Sequence, residues 1–452
     1  MVGAEAQKKL LIISHDKIGS SMAGPGIRYH HMAEVLSDNF DVTIGFFDPT
    51  YIPEESFKKN YRVRLIDANS SKLDYFNDFS VVIAFWLNED MIEYCNRHHI
   101  FMVFDIYAPT PVENLALFLY GSAKITQETD FVYKQSCSMY DKFFANGDLF
   151  LFSNRRQLDY WVGYVFGTDQ IRVSTYKKRP VFDRFIYAPM GIDANMPLNH
   201  TDNVIRNKIK GIDKKDKILL WTGGIWNWFD AQTLILAMDL LKDKRPDIKL
   251  VFFGTKHPNP HVAEMQEAVD SIALAKRLGL LGKTVFINEG WVDYYKRINY
   301  LLEADIAINT TKITVESEFA HRTRVLDHIL TGLPTIATKG DYLSDEVIEI
   351  KKLGITVPAG DKDAIAKAII DILEVNNYRA FKQNVESIKS SYDWRVVLAE
   401  LNSALEKNLP KLDHVVVKKS KTFPNSRAFK TAKRITPVFI KKLIIRTFRY
   451  GN

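Results

Sequence analysis

Residues 217–230 read KILLWTGGIWNWFD, and the fold is decided here. The apolar run Ile218–Trp221 is short enough for a strand of a parallel sheet buried on both faces. Paired glycines at 223 and 224 turn the chain and let its backbone approach a ligand closely. Asp230 then stands where a side-chain oxygen caps the following helix, AQTLILAMDLLKDK. Strand, glycine turn and helix together open a βαβ unit.

The same grammar continues downstream. KLVFFGT, KTVFINEG, ADIAINTT and LPTIATKG are strand candidates separated by helices, and DAIAKAIIDILEV and SYDWRVVLAELNSAL are late helices. Upstream it is already complete once. KKLLIIS leads through a Gly-Pro-Gly turn into the helix IRYHHMAEVLSD, followed by DVTIGFF, VRLIDA, SVVIAFW, HIFMVFDIYA, DLFLFSN and RFIYAPMGID. The polar stretch from Leu198 to Asp216 reads as the connection. The expected class is therefore α/β, with two Rossmann-like doubly wound domains facing a central cleft. Its expected parts are residues 1–200, an acceptor domain; 201–375, a donor domain; 376–410, helices returning toward the first lobe; and 411–452, a basic amphipathic tail.

Bulk properties bound the function. At 452 residues the chain is too long for one ordinary core, and its 46% hydrophobic and 25% charged residues are those of a globular protein. Two cysteines, Cys95 and Cys137, make no disulfide framework, which suits a cytoplasmic setting. The net charge of +7 is a local effect: from Lys411 onward there are 12 Lys and Arg and one acid, leaving 49 basic and 53 acidic residues elsewhere. Nucleic acid is thus not an expected partner. The ending TPVFIKKLIIRTFRYGN interleaves apolar and basic residues, a pattern suited to an anionic membrane surface at the inner face of the cell membrane, or to partner or homo-oligomer contact. No stretch reaches the roughly 20 apolar residues of a membrane-spanning helix.

Candidate chemistry collects at strand ends. Gly24, Gly26 and Arg28 form a glycine turn at a helix start, where amides and a fixed charge suit an anion or where the turn simply packs. Gly223, Gly224, Trp226 and Asn227 occupy the second turn, with Trp226 either a platform for a sugar or base or a packing residue. Lys256 follows the strand KLVFFGT, and Gly290, Trp291 and Val292 could flank a flat base. The densest cluster is ESEFAHRTRVLD, residues 316–327, before a helix end at Gly332. Within it Arg322 and Arg324 suit a diphosphate leaving group. Asp361-Lys362-Asp363 reads as a helix cap and His98-His99 as a turn, so no metal site is expected.

The order of glycine turn, LLWTGGIWNWFD, LVFFGT, INEGWV, ADIAINT and RTRVLDHILTGLPTIAT resembles the retaining GT-B glycosyltransferases of family 4, over roughly residues 8 to 400. The resemblance implies a nucleotide-diphosphate sugar on the second lobe and a glycan, glycopolymer or lipid-linked acceptor on the first, with no cofactor and no metal required. It also implies a glutamate pair spaced E-x7-E. Asp327 stands at the second position, but the first falls on Phe319, with Glu318 one residue away. Glu318, Arg322 and Arg324 are therefore the expected catalytic groups. Asp105 joins them because it ends a strand where relatives carry a histidine; a turn role stands beside that reading. The altered pair also leaves open a catalytically silent subunit that stabilises a partner glycosyltransferase.

Overall fold

The computed structural model describes residues 7–47, 54, 61–65, 72–121, 124–168, 170–171, 173–254, 264–288, 290–407 and 409–412. They form two sheets in which every pairing is parallel. The first contains β1 (Lys9–Ser14), β2 (Asp41–Phe46), β3 (Arg62–Leu65), β4 (Val81–Ala84), β5 (Phe101–Asp105), β6 (Leu149–Phe152) and β7 (Phe185–Tyr187), in the order β3-β2-β1-β4-β5-β6-β7. The second contains β8 (Lys217–Trp221), β9 (Ile248–Phe252), β10 (Val285–Ile287), β11 (Ile306–Asn309), β12 (Thr335–Thr338) and β13 (Gly354–Val357), in the order β10-β9-β8-β11-β12-β13.

The central strands carry no polar face because helices cover both sides. Leu10, Leu11 and Ile12 in β1, and Ile218 to Trp221 in β8, are wholly buried. In the second sheet this burial fixes the register, with Leu219 of β8 opposite Leu250 of β9 on one side and Ile306 of β11 on the other. The helices Ala231–Leu241 and Lys362–Leu373 add Leu234, Met238, Ile365, Ile369 and Ile372 to that core. Local chemistry ends them as expected: Asp230 accepts from the Thr233 amide at 3.0 Å and Asp361 from the Ala364 amide at 2.8 Å. The helix Arg324–Thr331 closes on Gly332 in the left-handed region, φ 69°. His99 likewise turns the chain at φ 57°.

The chain divides into two compact units, but not at the expected boundary. One comprises 1–108, 127–191 and 394–452, the other 109–126 and 192–393. The break near residue 200 thus falls at 191–192, and residues 376–393 stay with the second unit, while the return begins at Trp394. Residues 109–126 are the larger correction. The helix Thr110–Tyr120 follows β5 of the first sheet in sequence yet packs on the helix Val315–Phe319 of the second unit. Neither it nor the next helix, Gln127–Asn146, was anticipated. Among the described residues, no helix is long and apolar enough to cross a membrane.

Candidate nucleotide-sugar site

In each sheet the strand order reverses once, between β1 and β4 and between β8 and β11. Connections there run to opposite faces and leave a crevice beyond the carboxyl ends of the strands. In the second unit the crevice begins at Thr222-Gly223-Gly224. Gly223 adopts φ 75°, which a residue with a Cβ takes only under strain. The turn is tied to the end of β11. The Asp230 amide donates to the Thr310 carbonyl at 3.1 Å, the Thr310 hydroxyl donates to the Asp230 carbonyl at 2.7 Å, and the Lys312 amide donates to the Trp228 carbonyl at 2.9 Å.

Two arginines reach this crevice and differ in kind. Arg322 is buried and donates through both terminal nitrogens to Glu316 at 2.7 Å each, with Asp341 3.9 Å from its Nε. Burial opposes its charge, but Glu316 and then Asp341 hold its pKa above the ordinary value. Arg324 has no carboxylate partner among the described residues. Its Nη2 donates to the Gly224 carbonyl at 2.8 Å, its guanidinium lies 3.8 Å from the Phe229 ring centre and 4.8 Å from that of Trp221, and its buried Nη1 has no partner among the described residues. Burial, assisted by the charge of Arg322, lowers its pKa to about 9. A partly buried cation held by a carbonyl and two rings, with a donor left over, is poised for an anion. Beneath it His328 is locked between the Thr222 and Thr335 hydroxyls at 2.9 and 3.1 Å, and burial with the Arg324 charge pushes its pKa down to about 3.

Several other expected residues have internal work. The helix start at Ala231 is not open to a phosphate. Buried Glu267 accepts from the amides of Ala231 and Gln232 at 3.1 and 3.2 Å, beside the Asp230 cap. Asn227 is buried and accepts from the Glu267 amide at 3.2 Å, while Lys312 binds the Asn227 carbonyl and the Glu267 carboxylate at 3.0 and 2.7 Å. Trp226 stacks on Trp228 with centres 5.2 Å apart and planes 2° apart, both rings packed against the core. Asp327 pairs with Arg297 at 3.1 Å, and Arg297 also covers the Tyr294 ring. Of the two neighbouring glutamates, Glu316 turns inward to Arg322 and Glu318 lies exposed. Gly290 is exposed beyond the edge strand β10, with Trp291 and Val292 half-buried beside it. Lys256 lies outside the described residues.

In the first unit the structure joins two residues that the sequence offered separately. Arg28 donates to both oxygens of Asp105 at 2.7 and 2.8 Å and to the Ala188 carbonyl at 2.7 Å, and both side chains are fully buried. Asp105 therefore serves Arg28, and Arg28 is not at the surface of an anion site. Gly26 is a packing glycine, because a Cβ there would lie 2.2 Å from the Lys17 carbonyl oxygen. Gly24 has open space in front of it.

Residues 216–375 match the family described as glycosyl transferases group 1. They are a glycosyltransferase group 1 domain. Solved structures extend the likeness to the whole fold. Alr3699/HepE of Anabaena, solved with UDP-glucose, superposes with TM-score 0.58 at 15% identity, covering 88% of this chain and 99% of that one. WaaG, a glycosyltransferase involved in lipopolysaccharide biosynthesis, gives 0.58 at 14% identity, covering 87% and 98%. A UDP-N-acetylglucosamine 2-epimerase of Listeria monocytogenes, so described provisionally, gives 0.55 at 12% identity, covering 91% and 100%. The fold is thus the two-unit GT-B type, and the glycosyltransferase domain coincides with the crevice of β8, β11 and Arg324. No curated protein matches the sequence.

Proposed function

We propose that this glycosyltransferase domain moves a sugar from a nucleotide diphosphate to a hydroxyl acceptor with retention of configuration. The supporting observation is Arg324, a guanidinium without a carboxylate partner among the described residues, beside Gly223 and Gly224 at the reversal point of the second sheet. When the bond from the anomeric carbon to phosphate breaks, negative charge grows on the departing diphosphate and positive charge on the sugar ring. A donor fixed in place beforehand stabilises that change without reorganising. The released phosphate oxygen takes the acceptor's hydroxyl proton, so no strong protein base is needed. Arg324 is the donor, and Arg322, neutralised by Glu316, holds the rim in shape. The arginine supplies the positive charge, so turnover is expected to survive EDTA.

The Anabaena protein solved with UDP-glucose makes UDP-sugars the first donors to try, ahead of GDP-, TDP- and ADP-sugars. A matching donor raises the melting temperature by mass action, and Arg324→Ala should abolish the rise. A rise unchanged in that variant would overturn the assignment. We propose further that the acceptor belongs to a surface glycan or glycopolymer and is presented at an anionic membrane. The basic, apolar-interleaved sequence after residue 412 motivates this. Lys411 and Leu412 both bind Asp148, so deleting 413–452 spares that anchor. The deletion should reduce pelleting with vesicles of phosphatidylglycerol and phosphatidylcholine; unchanged pelleting refutes membrane docking.

A further inference from the structure

We propose that Glu113, on the helix Thr110–Tyr120, recognises a hydroxyl of the donor sugar and so determines which sugar is accepted. The inference rests on the nucleotide-sugar reading above and adds a residue from outside the glycosyltransferase domain. That helix reaches the second unit from far away in sequence and packs on Val315–Phe319, the element that carries Glu316. Val112, Asn114, Ala116 and Phe118 fix it in place by burial. At its far end Tyr120 covers the Lys312 ammonium, which in turn binds the Asn227 carbonyl. The helix therefore follows the rim from the Glu316 element to the turn containing Gly223 and Gly224.

Glu113 is half-buried, lies within the fields of Glu316 and Arg322, and has no hydrogen bond or ion pair among the described residues. Arg322 offsets its charge only in part and makes no ion pair with it, since both terminal nitrogens of Arg322 are bound to Glu316. Arg322 and Arg324 face the same Phe229 ring, at 5.3 and 3.8 Å. Among the described residues, the rim thus runs from a cation without a carboxylate at Gly224, across Phe229, to a carboxyl without an ion pair at Glu113. A phosphate suits the first end. The second suits a neutral polyol, because a carboxyl both accepts from and, when protonated, donates to hydroxyls. Burial and the Glu316 charge push the Glu113 pKa up to about 8, so at neutral pH both roles are available. A sugar nucleotide joins a polyol to a phosphate in this way.

The test compares the full-length wild type with Glu113→Gln and Glu113→Ala, by calorimetric titration with UDP, UDP-glucose, GDP and GDP-mannose. Glu113→Ala should weaken the sugar nucleotide about tenfold or more and leave its parent diphosphate within about twofold, with Glu113→Gln between the two. Equal weakening of diphosphate and sugar nucleotide, or no weakening of either, overturns the inference while the nucleotide-sugar reading stands. Failure of these four ligands, and of TDP-glucose and ADP-glucose titrated in the same way, to bind the wild type overturns that reading and the inference with it. Circular dichroism of each variant separates loss of fold from loss of recognition. If Glu113→Ala does not fold, Glu113→Gln alone decides, by a selective loss of sugar-nucleotide affinity or none.

Discussion

The Arg28–Asp105 pair offers the sharpest contrast between a structural and a catalytic carboxylate. Asp105→Asn keeps the shape and one acceptor oxygen but removes the charge that balances Arg28. The guanidinium is fully buried; its two charge-assisted bonds of 2.7 and 2.8 Å become at most one bond to a neutral oxygen, beside the Ala188 carbonyl and the Tyr107 ring 4.7 Å away. Its Nη1 already lacks a partner among the described residues. Breaking a buried pair from one side costs about 3–5 kcal/mol. The retained acceptor favours the lower end, roughly 3 kcal/mol, which for a unit of this size is a fall of about 6–12 °C in melting temperature. Differential scanning calorimetry of Asp105→Asn, Arg28→Met and the double variant Arg28→Met/Asp105→Leu checks this. The double variant should recover most of the loss, since apolar replacement of a whole buried pair is often near neutral. Nucleotide binding by the second unit should persist in all three. An Asp105→Asn protein melting within about 1 °C of wild type, yet inactive in transfer, would contradict a structural role for Asp105. Asp105 would then act on substrate.

Arg324→Ala should weaken nucleoside diphosphate binding by roughly 100-fold, the loss of about 3 kcal/mol in one or two charge-assisted bonds, with little loss of melting temperature because the removed cation has no carboxylate partner among the described residues; titration calorimetry checks the first part and a thermal melt the second. Glu113 is protonated more readily in the folded chain than unfolded, with its pKa raised from 4.5 to about 8. Its contribution to stability is therefore complete below about pH 4.5 and is lost as pH rises toward 8, at most about 1.4 kcal/mol per pH unit. After discounting for partial exposure, Glu113→Gln should match wild type near pH 4.5 and exceed it by about 2 kcal/mol at pH 8; thermal melts showing a pH-independent difference would contradict this. Gly26→Ala forces a methyl group to within 2.2 Å of a backbone oxygen, so a loss of about 2 kcal/mol or more is expected in urea unfolding.

What was legible in the sequence was local. Apolar runs such as Ile218–Trp221 announce strands because both faces of a parallel sheet are buried. Asp230, Asp361 and Gly332 announce helix ends because capping acts within three residues. Partners far apart in the chain carry no such mark. Asp105 lies 77 residues from Arg28, and Glu267 covers amides 35 and 36 residues away, so the occupied helix start at Ala231 could not be foreseen. The helix Thr110–Tyr120 is harder still, since nothing in its own pattern says which of two similar units it will cover. Glu316 and Glu318 fail for a subtler reason. Two residues along a helix turn about 200°, so one glutamate faces inward and the other outward, and composition is blind to that phase.

That phase bears on the altered E-x7-E spacing. At position 319, where the resemblance implies a carboxylate, this chain has a half-buried Phe319, and the inward carboxylate three residues earlier is consumed by Arg322. Glu318 points away and Asp327 is committed to Arg297. The segment from 316 to 327 can then hold charge and shape at the rim, but its acids are matched or outward-facing. A polyol still needs a polar group to read it, because an unread hydroxyl in a half-buried crevice loses its hydration without return. The helix that crosses from the first half of the sequence brings one such group, Glu113, to that rim. On this view the altered spacing is a relocation of the sugar-reading carboxyl, and activity at the unmodified position 319 does not require a second mutation to restore glutamate there.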